Sequence, residues 1–442
     1  MEKTGTAVVI LQGTTERPGE QPLRQNNQFF YLTGVVEPRA ILVMDGSTKR
    51  STLFLNPRSE RRETIRLGPG LFPGPDAQRE TGIDAVLPRD DFGGMLARYT
   101  AVIYTAFRPE VLGSASASDP VALARMNRED EWDGRISREE TFLGKLHATA
   151  GAADIRDLDP ILDTLRGTKS PLEIAVLREA TRIAGLGIME AMRDCAPGLY
   201  EYELQADAEF VFKKYGACGA ACFALIATGR NTWYTHYHKN TTKIQDGDLV
   251  QFDYAPDYKN YASDVTRVFP ANGKFTPRQK EYYGIYLLLY RALMTSIRVH
   301  MTPHDIVKDA VVKMDAILAQ YHFTDTLIKQ AAVKFVENYR TSTANSLGHT
   351  VRMEVHDVRN PTARLEPGQI FTIEPAMLIP EEHVGIRLED MLLITESGYE
   401  NLSAFVPVEV ADIEKLMTET GLSGARAKST KLSVRPRQRP VQ

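Results

Sequence analysis

The sequence predicts a two-domain α/β protein, and three observations carry this prediction. The chain of 442 residues is too long for one ordinary hydrophobic core. Short β-branched runs alternate with segments whose apolar residues recur at helical spacing. A turn cluster, Arg166-Gly-Thr-Lys-Ser-Pro171, separates two such regions. We therefore expect one domain at 1–165 and a second at 166–420.

The first domain is predicted to be mixed α/β. Strands are expected at 7–11, 29–33, 40–44 and 51–55, where apolar, β-branched and aromatic residues cluster. Residues 136–147 are expected to form a helix, because charged and apolar residues alternate there at helical spacing.

The second domain is predicted to open with a helix over 172–192. Ser170 suits the N-cap, Pro171 the first helical position and Glu173 the first turn. Further helices are expected at 200–215, 279–300 and Pro303–Gln320, and strands at 249–254, 263–269, Ile370–Ile373 and 384–394.

The composition is typical of a soluble globular protein that binds neither nucleic acid nor a membrane. Hydrophobic residues make up 43% and charged residues 25% of the chain, and the net charge is −4. No run approaches the roughly 20 apolar residues of a membrane span. The first residues form no signal-peptide core. We expect a cytoplasmic protein, and a signal sequence upstream of Met1 stays open as the alternative.

Two minor features have more than one interpretation. Cys195, Cys218 and Cys222 are expected to be buried thiols, although the last two could form a redox or metal pair.

Residues 424–442 are basic, contain no acid, and are expected to form a disordered tail. A nucleic-acid or membrane arm is the less favoured alternative, because no aromatic residue lies among these charges.

Five residues of metal-ligating type lie in the second domain: Asp253, Asp264, His349, Glu374 and Glu389. Four carboxylates and one imidazole suit two divalent cations that share carboxylates, and such a pair activates water. Asp253 and Asp264 lie in strand-like apolar runs, where a buried carboxylate is costly unless it is paired or metal-bound. If the five converge, the protein is a hydrolase.

Three more polar residues accompany these ligands. His356 follows His349 by seven residues, which would place the two on opposite faces of one strand, or on the same side if a turn intervenes. Arg387 is two residues from Glu389 and can neutralise buried carboxylates. His236 lies in a polar loop, where hydrated histidines are common.

These segments together resemble the pita-bread metallopeptidases, most closely the aminopeptidase P and prolidase branch, which cleaves Xaa-Pro bonds. The matching segments are Phe252-Asp253, Ser263-Asp264-Val-Thr-Arg267, Gly348-His349 with Val355-His356-Asp357, Ile373-Glu374-Pro375, Gly385-Ile-Arg387-Leu-Glu389-Asp390, Arg24 to Gly34 with Glu37-Pro38, and Lys169-Ser-Pro-Leu-Glu-Ile. The resemblance covers nearly the whole chain except the tail. It implies a creatinase-like mixed α/β lid domain, followed by a pita-bread catalytic domain of pseudo-twofold α/β architecture.

The resemblance also implies how the ligands divide between two metal ions. Asp253 would bind one ion, Asp264 and Glu389 would bridge both, and His349 and Glu374 would complete the other. Manganese(II) is the expected metal, with cobalt or zinc as alternatives.

The remaining implied roles belong to catalysis. Glu374 would accept a proton from the water that the two metals activate. His236 and His356 would contact the scissile region, stabilise the tetrahedral intermediate and help pass a proton to the proline nitrogen, and Arg387 would complete the site. Short proline-containing peptides are the expected substrates, and a homo-oligomer, dimer or tetramer, is expected.

Three other functions remain open at this stage. A prolidase restricted to Xaa-Pro dipeptides is the nearest alternative, because the intervals from His356 to Glu374 and from Glu374 to Glu389 look short for an aminopeptidase P. An arginine expected in the first interval is not clearly aligned, and Arg359 or Arg364 could replace it. A non-catalytic peptide-binding module and a metal-free, creatinase-like C–N hydrolase are more distant, because all five ligands are present.

Overall fold

The structure, a computed structural model, describes residues 1–16, 23–59, 70–111, 116–343, 346–358 and 364–422. The predicted basic tail and Arg359 lie outside these ranges. Elements of the first region are β1 (Val8–Gln12), α1 (Asn27–Thr33), β2 (Ile41–Asp45), β3 (Arg50–Leu55), α2 (Pro75–Thr81), β4 (Ala85–Pro88), α3 (Phe92–Leu96), β5 (Ile103–Thr105), α4 (Asp119–Glu129), α5 (Arg138–Thr149), β6 (Ile155–Asp157) and α6 (Asp159–Gly167).

A six-stranded mixed sheet organises this first region, with strand order β4-β3-β2-β1-β5-β6. Strand β1 pairs antiparallel with β2 and parallel with β5. Along β1 the side chains alternate: Val9 and Leu11 enter one apolar cluster, and Val8 and Ile10 enter another on the opposite face. The sheet is therefore covered on both faces, as a mixed α/β layer requires.

The prediction of a strand at 29–33 is wrong, because these residues belong to helix α1. The side chain of Asn26 accepts a hydrogen bond from the Phe29 backbone N–H and caps the helix. Gly34, with φ of 64°, ends it in the left-handed conformation. The aromatic residues of this run favour a β-strand, but the capping interactions at both ends stabilise a helix instead. The other three predicted strands are confirmed, and the helix predicted at 136–147 is confirmed as α5, which begins and ends two residues later.

The second region begins with α7 (Pro171–Asp194). It continues with α8 (Glu201–Lys214), β7 (Gly219–Ala220), β8 (Leu225–Thr228), β9 (Leu249–Asp253), β10 (Pro256–Asp257), β11 (Thr266–Pro270), α9 (Pro277–Met294), α10 (Pro303–Gln320), α11 (Thr326–Arg340), β12 (Ile370–Ile373), β13 (Ala376–Ile379), β14 (Val384–Arg387), β15 (Asp390–Thr395), β16 (Gly398–Asn401) and α12 (Val410–Leu416).

Two three-stranded antiparallel sheets form the centre of this second region. One has the order β11-β9-β8 and the other β12-β15-β16, and β13 pairs with β14 in a separate hairpin. Thr266 and Glu389 form an isolated antiparallel bridge that joins the two sheets. Apolar side chains from both sheets and the surrounding helices belong to one buried cluster. The bridge thus brings the ends of both sheets to one point.

Helix α7 begins as predicted. The Ser170 side chain accepts from the Glu173 N–H, and Glu173 accepts from the Ser170 N–H, which together form a capping box before Pro171. Further along, a Cβ added at Gly187 would lie 2.6 Å from a ring carbon of Phe212. Glycine at this position therefore permits the close packing of α7 on α8.

Several predicted boundaries are corrected. The run 384–394 is two strands, β14 and β15, separated by Leu388 and Glu389. Strand β11 starts at Thr266, so Asp264 precedes the strand instead of lying in it. The helix expected to reach residue 300 ends at Met294, and α11 was not predicted.

The cysteines are only partly as expected. All three are free thiols, and Cys195 is buried, but Cys218 is exposed and Cys222 half-buried. The prediction of burial is therefore wrong for Cys218, which lies just before the short edge strand β7.

Among the helices of the described ranges, none combines the length and the apolar content needed to cross a bilayer.

Candidate metal centre

Three of the five predicted ligands converge at the bridge between the two sheets. Asp264, His349 and Glu389 each offer one ligand atom, and these atoms lie within 4.8 Å of one another. His349 Nε2 is 3.5 Å from Asp264 Oδ2 and 3.6 Å from Glu389 Oε1. Asp264 and Glu389 are both buried.

The other two predicted ligands lie at the edge of this group. Glu374 Oε1 is 3.2 Å from His349 Nε2. Asp253 ends β9 and forms a buried ion pair with Arg387, whose Nε is 3.9 Å from Glu374 Oε2. All five predicted ligands therefore belong to one connected cluster, with Asp253 engaged by Arg387.

The pairing of the strands explains how residues distant in sequence meet. Asp253 pairs with Thr266 across β9 and β11, and Thr266 bridges to Glu389. The hydroxyl of Thr266 also donates to Glu389 Oε2 at 2.8 Å. Thr266 is thus a buried positioning residue that the sequence analysis did not single out, although it lies inside a quoted motif.

Gly348 sets the position of His349 against β12. A Cβ at Gly348 would lie 1.9 Å from the carbonyl oxygen of Thr372. The next residue, His349, accepts a hydrogen bond from the Thr372 N–H at 2.8 Å. Glycine at position 348 therefore permits a close approach of the two backbones.

The buried carboxylates repel one another. Burial, followed by the charges of Glu389, Asp253 and Glu374, raises the pKa of Asp264 well above its usual range. Burial and the charge of Glu374 raise the pKa of Glu389. Glu389 Oε1 is also buried without a hydrogen-bond partner among the described residues. Such a set of hard oxygen donors is unfavourable by itself and fits divalent cations.

His349 and Glu374 respond in opposite directions to their surroundings. Burial by itself would lower the pKa of His349, but the neighbouring carboxylates of Glu374 and Glu389 raise it to about 10. For Glu374 the effect of burial is outweighed by His349 and Arg387, which lower its pKa. In the metal-free protein an imidazolium thus supplies positive charge that a bound cation would otherwise supply.

A turn brings His356 onto the same side as His349, which resolves the arrangement that the sequence left open. The two imidazole rings stack with centroids 3.9 Å apart. The turn is closed by the Asp357 N–H, which donates to the Thr350 carbonyl at 2.8 Å, and by the Thr350 hydroxyl, which donates to the Asp357 carbonyl at 3.0 Å. Although His356 is exposed, partial desolvation, and then the charge of His349, lowers its pKa to about 4, so its imidazole is neutral near pH 7.

His236 lies on an exposed loop that Arg387 connects to the cluster. Arg387 Nη1 donates to the Thr235 carbonyl at 3.1 Å, while Nη2 binds Asp253. His236 also helps to lower the pKa of His356. His238 packs its ring on Phe223 and lies farther along the loop.

Two further features near the ligands were not predicted. Desolvation, together with the charges of Asp264 and Asp253, raises the pKa of Cys222 well above its usual range, so this half-buried thiol stays protonated. Arg267 donates to Asp390 at 2.7 Å and to the Glu389 carbonyl at 2.8 Å, and it is fully buried. The sequence contained a signal for Arg267 and Asp390, because both are charged residues close to predicted ligands and lie in apolar runs.

Comparisons with known proteins match both regions of the chain. The profile of metallopeptidase family M24 matches residues 175–396, and that of the aminopeptidase P N-terminal domain matches residues 1–104. The Xaa-Pro aminopeptidase of Escherichia coli (strain K12) is 32% identical over 93% of this chain and 94% of its own length.

Solved structures agree with the sequence matches. Proline aminopeptidase P II from Yersinia pestis has a TM-score of 0.73 and 31% identity, over 94% of this chain and 96% of that chain. A zinc-substituted E. coli aminopeptidase P in complex with product has a TM-score of 0.72 and 30% identity, over 94% of each chain. These matches confirm the predicted fold class, a mixed α/β domain followed by a pita-bread domain, and they confirm the resemblance to the aminopeptidase P branch.

Proposed function

The chain belongs to metallopeptidase family M24, and on that premise we propose that it is a metal-dependent exopeptidase that removes the N-terminal residue from peptides with proline in second position. The observation that carries this proposal is the convergence of Asp264, His349 and Glu389, with Glu374 beside them, in a chain similar over its length to Xaa-Pro aminopeptidases. We also propose the division into domains 1–165 and 166–420.

Two divalent cations fit the donor set. Asp253 would hold one, His349 and Glu374 the other, and Asp264 and Glu389 would lie between them. Bound there, the cations would activate water and polarise the scissile carbonyl. The preponderance of carboxylate oxygens favours manganese(II), and the zinc-substituted relative indicates that a similar site accepts zinc.

The protein's own groups have distinct tasks around these cations. The lowered pKa of Glu374 keeps its carboxylate ionised and ready to accept a proton. Arg387 supplies a fixed positive charge between Asp253 and Glu374. His356, neutral and stacked on His349, can donate a hydrogen bond to the carbonyl oxygen and help pass to the leaving proline nitrogen the proton that Glu374 accepts. His236 can approach the same region from its exposed loop.

The restriction to proline follows from the chemistry of the bond. An Xaa-Pro peptide is a tertiary amide without an N–H, so recognition by backbone pairing is weak and a dedicated site is required. The first domain reaches this site, because the Ala117 N–H donates to the His356 carbonyl at 3.4 Å. A cleft covered in this way favours short or unstructured N-termini.

The deciding experiment compares Xaa-Pro-Yaa tripeptides with Xaa-Pro dipeptides, using protein loaded with manganese and an EDTA-treated control. We expect cleavage of the tripeptide after the first residue and loss of activity with EDTA. Exclusive dipeptide cleavage would make the protein a prolidase. Zero hydrolysis by the loaded protein would favour the peptide-binding module, and activity that survives complete metal removal would favour a creatinase-like mechanism.

Assembly and compartment are finer parts of the same proposal. We propose that the protein is a homo-oligomer, dimer or tetramer, because lids over such clefts commonly involve a partner subunit. We also propose that it is located in the cytoplasm. Light scattering coupled to size exclusion tests the first point, and a monomer at micromolar concentration would contradict it.

A further inference from the structure

We propose that the first domain positions His356, with Asn27 and Tyr31 of α1 as positioning residues that act through the loop at 350–357. This inference rests on the proposed role of His356 in catalysis. It extends the function of the first domain from covering the cleft to setting the geometry of one catalytic side chain.

The loop at 350–357 carries two fully buried charged side chains between His349 and His356. Arg352 is 0% and Glu354 1% exposed. The loop forms no helix or extended strand, and its backbone is held at Arg352, whose carbonyl accepts from the Ala262 N–H at 2.6 Å. Charges buried in such a loop must keep their partners, because an unpaired buried charge is strongly unfavourable.

Tyr31 and Glu173 hold the first of these charges. The guanidinium of Arg352 lies 4.6 Å from the centroid of the Tyr31 ring. Its Nε donates to Glu173 Oε1 at 2.7 Å, and the Tyr261 hydroxyl donates to the same oxygen at 3.0 Å. Arg352 is thereby fixed between a helix of the first domain and the start of α7.

Asn27 holds the second buried charge, the carboxylate of Glu354. Its Nδ2 donates to Glu354 Oε1 at 2.9 Å, and Arg166 Nη2 lies 3.4 Å from the same oxygen. Arg24, just before α1, donates to the Met353 carbonyl at 2.8 Å and forms a buried ion pair with Asp257. The loop is thus fixed by contacts at three consecutive residues, 352–354, two before His356.

The spacing along α1 makes this arrangement possible. Asn27 and Tyr31 are four residues apart, so they lie on one face of the helix and reach the loop together. The neighbouring Gln28 is also buried, but its side chain donates to Asp159 within the first domain. Gln28 therefore provides a matched control: it is on the same helix, is also buried, and directs its hydrogen bond to Asp159 instead of the loop.

The test measures kcat, KM and bound metal for Asn27→Ala and Gln28→Ala, each in the wild-type and the His356→Ala background. We expect Asn27→Ala to lower kcat about tenfold at unchanged metal content, because a small displacement of a catalytic group is costly. KM should stay within about twofold, and Gln28→Ala should leave kcat within about twofold. In the His356→Ala background, Asn27→Ala should lower kcat no further. Tyr31→Leu, which removes the aromatic ring over Arg352 without adding a buried charge, replaces Asn27→Ala if the alanine variant yields little folded protein.

The outcomes separate this inference from the proposed function. Equal losses from Asn27→Ala in both backgrounds, or an equal loss from Gln28→Ala, would show a general structural effect and overturn the inference. A wild-type kcat for Asn27→Ala, together with an impaired His356→Ala, would overturn the inference alone. A wild-type kcat for His356→Ala would overturn the catalytic role of His356 and the inference with it.

Discussion

Arg387 shows how one side chain can serve several parts of the site. It neutralises Asp253, lies 3.9 Å from Glu374 and holds the loop of His236 through the Thr235 carbonyl. Burial would lower its pKa, but the surrounding carboxylates raise it, so it stays charged. A planar guanidinium can reach three partners in fixed directions, which an ammonium cannot do.

A buried carboxyl outside the site leads to a prediction about stability. Glu139, at the start of α5, is 4% exposed, and its Oε1 has no hydrogen-bond partner among the described residues. Burial, reinforced by the charge of Glu110, raises its pKa from 4.5 to about 7. Because the folded pKa is the higher one, ionisation opposes folding, and stability is lost as pH rises from about 4.5 through 7.

We therefore expect Glu139→Gln to stabilise the protein at pH 8 by up to about 3 kcal/mol, with little effect at pH 4.5. Urea unfolding at the two pH values measures the difference. Glu129→Gln, at the exposed end of α4, serves as the control and should change stability at neither pH. A stabilisation that does not depend on pH would contradict the explanation.

At the scale of elements, the site depends on where strands stop. Asp253 ends β9, Glu374 follows β12, and Glu389 lies in the gap between β14 and β15. Asp253 pairs with Thr266, and Thr266 bridges to Glu389, so the ends of these strands meet at one point. The motifs around these residues were readable from the sequence because each combines an apolar run with a charged end.

The sequence was less informative where local and distant interactions disagree. Residues 29–33 look like a strand, but the Asn26 cap and Gly34 make them helical, and this helix contacts the loop of His356. The contacts from Asn27 to Glu354 and from Tyr31 to Arg352 join residues more than 300 positions apart. No local pattern signals such pairs, so the ligands were predictable and their supports were not.

Substitution of Gly348 tests directly how closely the backbone at His349 packs against β12. An alanine Cβ there would overlap the Thr372 carbonyl, so the backbone at His349 must shift away from β12. We expect Gly348→Ala to destabilise the protein by about 1–3 kcal/mol and to reduce bound metal. Urea unfolding and elemental analysis measure the two effects.

Gly284, within α9, is the matched control. An added Cβ there meets only the Tyr321 hydroxyl, at 3.8 Å. Gly284→Ala should stabilise the helix by up to about 1 kcal/mol and leave metal content unchanged. If Gly348→Ala retains both stability and metal, the close approach to Thr372 does not set the position of His349.

At the scale of the whole molecule, the cluster links stability, metal and pH. In the metal-free protein Asp264 and Glu389 have raised pKa values, so stability falls as pH rises through their folded values. The pKa of His349 is also raised, from 6.5 to about 10; its contribution is complete below 6.5 and is lost as pH approaches 10. Asp264, Glu389 and His349 therefore act in the same direction. Glu374 and His356, whose pKa values are lowered, contribute stability that is lost only as pH falls below their usual values of 4.5 and 6.5, so above pH 6.5 the stripped protein becomes less stable as pH rises.

A divalent cation should reverse this trend, because it requires ionised carboxylates and a neutral imidazole, and its binding releases protons. We expect manganese to raise the Tm of chelator-stripped protein more at pH 8 than at pH 5.5, as measured by scanning calorimetry. Asp264→Ala, which removes the carboxylate proposed to be shared by both cations, should show little gain at either pH and no peptidase activity. Equal gains at both pH values would mean that cations bind without displacing protons, and retained turnover in Asp264→Ala would refute the dinuclear assignment.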